Sequence, residues 1–200
     1  MPHSWTLSKL SATMLSVRSR LIITSLMLLI SSCVVRSIYP WLGDKSLKQE
    51  SRLVGAWIDR KSKMEVYISN EGGGIYQAMV MEENNKTTHL ILKHYAVGQD
   101  AFLVVSPTEK KSVEDFVTIP GYVLLKVVLS ENKMSLFSLK MGDVEKRIRS
   151  SQIELKAVGN EKDGVIIFSE TEDLEMFVNE QMEIGEFFDE DPAYRFARSR

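Results

Sequence analysis

The chain has 200 residues, of which 44% are hydrophobic and 26% are charged, and its formal net charge is −2. This composition suits one globular domain behind a targeting segment, and it excludes a basic nucleic-acid binder. The single cysteine, Cys33, excludes an intramolecular disulfide and a zinc site built from several cysteines. The fold must therefore be stabilised by its hydrophobic core.

The first 32 residues are predicted to be a signal peptide. Lys9, Arg18 and Arg20 supply positive charge, no acidic residue precedes Cys33, and residues 21–30 form an apolar run. A helix needs roughly 20 apolar residues to span a bilayer, whereas a run of about 10–14 suits the core of a signal peptide. Positive charge, an apolar run and then small residues are the order of an export signal.

A short motif ends this segment: Ile30, Ser31, Ser32 and Cys33. It resembles the lipobox of bacterial lipoproteins, in which an aliphatic residue and two small residues precede the cysteine that becomes the new N-terminus. The resemblance implies that a signal peptidase recognises residues 30–32 and that Cys33 carries a thioether-linked diacylglycerol and an amide-linked acyl chain. Without the resemblance, an uncleaved signal anchor or a buried helix with a chance cysteine stays open.

The predicted location is the bacterial cell envelope, with the membrane as a partner through the lipid anchor. The residue after Cys33 is Val34. In Gram-negative lipoproteins an Asp at this place tends to retain the protein in the inner membrane, so for a Gram-negative organism the resemblance favours the outer membrane. Residues 1–13 form a long polar lead in front of the signal, and we expect that translation starts at Met14.

The mature chain is predicted to have three parts. Residues 33–50 are a lipidated tether that lacks periodicity and contains the helix breaker Pro40. A β-rich globular domain follows over residues 51–185, and residues 186–200 form a charged tail. The aromatic and basic residues of this tail either dock on the domain or contact lipid headgroups, and the sequence does not decide between the two.

Short β segments separated by turn residues fill the domain. Alternation in one of them places Met64, Val66 and Ile68 on the same face. Residues 122–130 are apolar on both faces apart from Lys126, which predicts a strand covered on both sides. The predicted strands cover residues 53–59, 64–69, 75–82, 88–97, 101–106, 122–130, 134–139, 153–157 and 165–168.

Two helices are predicted among these strands. A short one over residues 143–149 presents Val144 and Ile148 on one face. A longer one over about residues 170–182 begins with a capping box at 169–172. Its apolar face is formed by Leu174, Phe177, Val178 and Met182. Closely spaced strands with tight turns predict a mainly β fold, an antiparallel meander closed as a barrel or stacked as a sandwich, with a C-terminal amphipathic helix.

Gly55 and Trp57 open the first predicted strand within the sequence Leu-Val-Gly-Ala-Trp. A Gly-x-Trp at this place resembles the signature of lipocalins and related small barrels. The resemblance implies that Trp57 packs across the closed end of a barrel whose interior holds a ligand. A core tryptophan beside a glycine that gives the backbone room explains the same residues without a ligand.

Residues 53–183 also resemble uncharacterised bacterial lipoproteins. The shared features are the opening residues 53–57, a Phe-Leu strand at 101–103, a Lys-Val-x-Leu strand at 126–129 and a final helix at 174–182. The likeness lies in the apolar pattern and implies no known activity.

No catalytic residue, metal or cofactor is predicted, apart from the acyl groups on Cys33. His89 and His94 lie five residues apart on a predicted strand, which places them on opposite faces and argues against a shared metal. Ser-x-x-Lys at 130–133 lies on a predicted turn without its companion motifs. The acidic run 189–191 does not supply the six to eight oxygens that calcium needs.

The sequence therefore predicts a lipid-anchored envelope lipoprotein whose β domain acts by binding or structural interaction, without catalysis. An envelope protein or a small hydrophobic ligand is the expected partner, and nucleic acid is not. The alternative is a lipocalin-like carrier of a small hydrophobic ligand, which predicts an internal cavity lined by alternate strand residues. A hydrolase that uses an unrecognised serine or acid pair is the third interpretation.

Overall fold

The computed structural model describes residues 35–84, 86–108, 121–160 and 164–199. Within these residues, eight strands form a closed antiparallel barrel, and a three-stranded sheet and two helices lie outside it. The predicted mainly β fold with a helix near the C-terminus is thereby confirmed, and of the two predicted arrangements the strands adopt the barrel.

The elements are named in chain order. The strands are β1 (Val35–Ser37), β2 (Gly55–Asp59), β3 (Met64–Gly72), β4 (Ile75–Met81), β5 (Thr87–Val97), β6 (Asp100–Pro107), β7 (Val123–Leu129), β8 (Lys133–Phe137), β9 (Ala157–Asn160), β10 (Gly164–Ile167) and β11 (Tyr194–Arg198). The helices are α1 (Met141–Ser150) and α2 (Thr171–Ile184), and 3-10 turns cover Asp44–Ser46 and Ser51–Leu53.

The barrel is an up-and-down meander closed by the last strand. Each strand from β2 to β8 pairs antiparallel with the next one along the chain, and β11 pairs antiparallel with both β8 and β2. Phe196 of β11 lies opposite Met134 of β8, and Ala197 lies opposite Ile58 of β2. Closure leaves no strand edge within the barrel.

Alternation along the strands separates an inner core from an outer core. Met64, Val66 and Ile68 of β3 belong to the inner core, as their spacing predicted. The outward residues Tyr95, Phe102 and Leu124 belong to the outer core. Further inner-core residues are Leu53, Trp57, Tyr76, Ala78, Leu92, Leu103, Val127, Met134, Leu136 and Phe196.

The outer core lies between the barrel and the layer formed by β1, β9, β10 and the two helices. Leu174, Phe177 and Val178 of α2 are fully buried there, and Met182 packs against them, which confirms the predicted apolar face. Strand β7 contributes Leu124 to the outer core and Val127 to the inner one, so it is covered on both sides near its beginning as predicted. Near its end the prediction is wrong, because Val128 on the outer face is 51% exposed.

Local details of the helices differ from the prediction. The residue before α2 is Glu170, and no side chain caps this helix terminus, so the predicted capping box is wrong. The hydroxyl of Ser169 instead accepts a hydrogen bond from the backbone nitrogen of Lys156 at 2.8 Å. This bond ties the residue to the strand layer and draws its side chain away from the helix.

The N-terminal segment also differs from the predicted tether, because from Val35 onwards it belongs to the fold. Trp41 and Leu42 are fully buried, and the indole nitrogen of Trp41 donates to the carbonyl of Tyr122 at 2.9 Å. Strand β1 pairs in parallel with β10. An irregular backbone explains the missing periodicity, while the large apolar area of the two side chains holds the segment against the barrel.

The predicted charged tail is likewise part of the core. Phe187 and Phe196 are buried, and β11 supplies the strand that closes the barrel. Of the two alternatives for these residues, the tail docks on the domain. Strand β11 has only five residues, so its alternating pattern is short. Tyr194 and Phe196 face inward and alternate with the exposed Arg195 and Ala197.

Candidate functional site

The barrel encloses an apolar cavity of about 500 Å³ that is partly open to solvent. Its described lining comes from β3 to β8 and β11, together with Val35 of β1 and residues next to the strand ends. The deeper wall includes Val66, Ala78, Leu92 and Leu103. Ligand sites in proteins are commonly apolar spaces of roughly 300–1,000 Å³, so this cavity has the size of a small-molecule site.

The cavity occupies one end of the barrel, which we call the mouth and define by Met64, Glu82, Thr88, Ser138 and Tyr194. Each of these residues lies at or next to a strand end and lines the cavity. The other end, which we call the closed end, is filled by Leu53, Trp57, Ile68 and Tyr76, and none of these four lines the cavity.

Polar groups of the described lining are confined to the mouth. They are the carboxylate of Glu82 and the hydroxyls of Thr88, Ser138 and Tyr194. The Ser138 hydroxyl donates to the carboxylate of Asp189 at 2.8 Å. The remaining described lining is apolar, so the cavity offers an apolar body with polar groups at its entrance.

Trp57 is the main side chain of the closed end. It is fully buried, and its indole nitrogen donates to the carbonyl of Leu53 at 2.8 Å. This bond satisfies the one polar atom of the ring, which would otherwise be costly to bury. The 3-10 turn that contains Leu53 is thereby fixed against the barrel floor.

Arg198 of β11 covers the outside of Trp57. The guanidinium carbon lies 4.5 Å from the centre of the Trp57 ring, a distance suited to a cation–π contact. Its nitrogens donate to the carbonyls of Arg52 at 2.7 Å, Val54 at 2.9 Å and Glu131 at 3.1 Å. One side chain thus joins the last strand, the turn before β2 and the turn between β7 and β8.

Gly55 has two reasons to be glycine. Its φ is +133°, a region that other residues rarely adopt. A Cβ at this place would lie only 2.6 Å from a guanidinium nitrogen of Arg198. Gly55 and Trp57 therefore belong to the closed end of the barrel, and neither residue lines the cavity.

The groups with shifted pKa values lie outside the cavity. The Arg52 guanidinium, which donates to Glu50 at 2.5 and 2.8 Å, lowers the pKa of that carboxyl to about 2. Burial in the outer core raises the pKa of the Tyr95 phenol, and the carboxylates of Asp44 and Glu175 add to the effect.

The other residues considered in the sequence do not come together. His89 is exposed and His94 is buried, on opposite faces of β5 as predicted, and the Nδ1 atom of His94 lies 2.7 Å from the carbonyl oxygen of Lys48. Ser130 and Lys133 flank the exposed turn between β7 and β8. Among the described residues, no group of three or more His, Cys, Asp or Glu side chains is arranged to hold a metal.

The predicted lipidation site at Cys33 and the recognition residues Ile30, Ser31 and Ser32 lie outside the described residues. Their role stays a prediction. Sequence reasoning missed Arg198, whose contacts with Arg52 and Val54 span 146 and 144 residues. Its only sequence signal was a basic residue in the alternating run that ends the chain.

The chain matches no protein-family model, and the comparisons with curated proteins and with solved structures found no match either. The resemblances to lipocalins and to bacterial lipoproteins therefore stay predictions. In the part of the chain that the structure describes, no helix has the length and the apolar character needed to cross a membrane.

Proposed function

We propose that this protein is a lipid-anchored carrier of the bacterial cell envelope that holds one small hydrophobic molecule inside its barrel. The observation that carries the proposal is the apolar cavity of about 500 Å³ at the mouth of the barrel. It has the lining by alternate strand residues that a carrier requires.

The cost in stability of an apolar cavity favours a carrier over a module that acts only through its surface. An apolar space that side chains do not fill lowers the stability of the fold, because the atoms of its wall lack contacts on one side. A module that binds partners by its outer face gains nothing from such a space. A carrier recovers the lost contacts when the ligand enters.

The polar groups support an amphiphilic ligand. An apolar tail would contact Ala78, Leu92 and Leu103 in the deeper wall, while a polar head would meet Glu82 and Thr88 at the mouth. Burial of each CH₂ group contributes about 0.8 kcal/mol, so the tail would supply most of the affinity.

The test is a titration of the chain from residue 33 onwards, carrying Cys33→Ser, with a homologous series of uncharged alkyl alcohols. We expect one saturable site, with an affinity that rises about fourfold for each added CH₂ and levels off once the cavity is full. Displacement of an uncharged fluorescent aromatic probe measures these affinities. Absence of saturable binding, or a gain that never levels off, would contradict a site of defined volume.

The anchor is the second part of the proposal and rests on the sequence motif at residues 30–33. Radiolabelled palmitate should enter the native protein in bacterial cells and be absent from Cys33→Ala. Val34 favours the outer membrane of a Gram-negative cell, and fractionation of the labelled protein checks this. An unlabelled native protein would refute the anchor without affecting the test of the cavity.

A further inference from the structure

Val35, the first described residue, lies at the mouth of the cavity. It is 4% exposed and lines the cavity beside Val123 and Leu139. Val123 begins β7 at the mouth, and Leu139 follows the end of β8 there. The chain upstream of Val35 therefore starts next to the entrance of the barrel.

The position of Val35 is fixed by the strand to which it belongs. Val35 pairs with Val165 of β10. On the other side of β1, Ser37 and Tyr122 exchange backbone hydrogen bonds of 2.8 and 3.0 Å. A strand held on both sides cannot swing away from the barrel without breaking these contacts.

Only one residue separates Val35 from Cys33. Two residue steps of extended chain span at most about 7 Å, so a lipid anchor on Cys33 lies within that distance of the mouth. The headgroup layer on each side of a bilayer is of similar thickness, roughly 5–8 Å. A protein anchored at Cys33 has too little chain before β1 to place its mouth far from the membrane surface.

We propose that the mouth of the barrel faces the membrane and that the cavity takes its ligand, a lipid with an apolar tail, directly from the bilayer. This inference rests on the proposed function, both for the cavity and for the anchor. The tail passes from the bilayer into the apolar wall past Val35, and the head stays among Glu82, Thr88 and Tyr194. The short connection keeps the entrance at a high local concentration of membrane lipid.

The test measures lipid transfer by the lipidated protein in phosphatidylcholine vesicles. The vesicles carry a long single-chain lipid with an uncharged fluorescent head, together with a quencher lipid, so fluorescence rises when the probe enters the cavity. The test variant carries about 20 Gly/Ser residues directly before Val35, which allow a separation of roughly 25 Å between anchor and mouth. The control carries the same insert between Gly98 and Gln99, in an exposed turn at the opposite end of the barrel.

We expect the insert before Val35 to slow transfer by about tenfold or more, and the insert after Gly98 to leave transfer at the native rate. Affinity for the same probe in solution, measured on unanchored Cys33→Ser chains, should be equal in all three proteins. Equal transfer rates with intact binding would overturn this inference while the carrier function stands. If the Cys33→Ser chain without an insert does not bind the probe, the carrier function itself is overturned. If Cys33 takes up no radiolabelled palmitate, the anchor is overturned.

Discussion

The two ends of the barrel are built from the same strands but are filled differently. At the closed end, Trp57, Tyr76 and Leu53 are fully buried and occupy the interior. Towards the mouth, β3 and β4 carry the smaller inward side chains Val66 and Ala78, and a cavity of about 500 Å³ remains. Strand alternation determines which side chains face inward, and the size of these side chains determines whether they fill the interior, as at the closed end, or leave a cavity, as at the mouth.

This difference separates two roles within one barrel. The closed end gains stability from aromatic burial, from the Trp57 hydrogen bond and from the contacts of Arg198. The mouth forgoes such packing, and a ligand that enters it should stabilise the fold by mass action. Substitutions at the two ends are therefore expected to have different effects.

The largest expected effect is at Trp57. Trp57→Ala should lower the free energy of unfolding by about 3–5 kcal/mol, because it opens a new cavity in a packed region. Leu90→Ala at the cavity wall should cost less, since that side chain already lacks contacts on its inner side. Urea unfolding of both variants measures the difference. Equal losses would mean that the mouth is as tightly packed as the closed end.

A substitution at Arg198 tests whether the stability of the closed end depends on the guanidinium that contacts Trp57. Arg198→Lys removes the planar group that contacts Trp57 and bonds to two carbonyls of the turn before β2, and it should cost about 2 kcal/mol. Arg195→Lys on the same strand is the control, because its ion pair with Asp191 is exposed and contributes little. Thermal unfolding compares the two, and a larger loss from the control would contradict the role given to Arg198.

A substitution at Ala78 tests the cavity at the mouth of the barrel. Ala78→Leu adds three carbons to the cavity wall, so affinity for an apolar probe should fall about tenfold, with stability changed by less than about 1 kcal/mol. Gln77→Leu adds a leucine on the exposed face of the same strand and should leave probe affinity unchanged. A titration of both variants decides, and unchanged affinity in Ala78→Leu would place the probe elsewhere.

The smallest expected effect concerns pH at the closed end. Arg52 holds the pKa of Glu50 at about 2, below the usual value of about 4.3, so the carboxylate adds stability above pH 4.3 that is lost as the pH falls towards 2. Glu50 is close to the surface, and solvent limits the contribution to a few tenths of a kcal/mol. In Glu50→Gln the stability difference from the native protein should vanish near pH 2. A constant difference from pH 2 to pH 7 would contradict this assignment.

Much of the barrel was predictable because its signals are local. Alternation placed Met64, Val66 and Ile68 inside, and the helical spacing of Leu174, Phe177 and Val178 identified the buried face of α2. Each pattern can be recognised within a few residues. The side-chain period of strands located β2 to β8. The strand predicted over residues 153–157 is wrong, because β9 covers Ala157–Asn160.

The ends of the chain and the cavity were not predictable in the same way. Trp41 and Leu42 lie in an irregular segment, and β11 has only five residues, so neither carries a periodic signal of useful length. The cavity depends on how inward side chains from seven strands add up around the barrel. To know which inward side chains lie at the same level of the barrel, one needs the register of every strand pair, and turn lengths alone do not give it.

The most direct test of the hollow mouth is a crystal structure of the mature chain under xenon pressure. Apolar cavities bind xenon, so we predict xenon density in the deeper part of the cavity, bounded by Ala78, Leu103 and Leu136, with none at Trp57. A barrel interior filled by side chains from end to end, with no xenon between them, would contradict the cavity and the carrier function built on it.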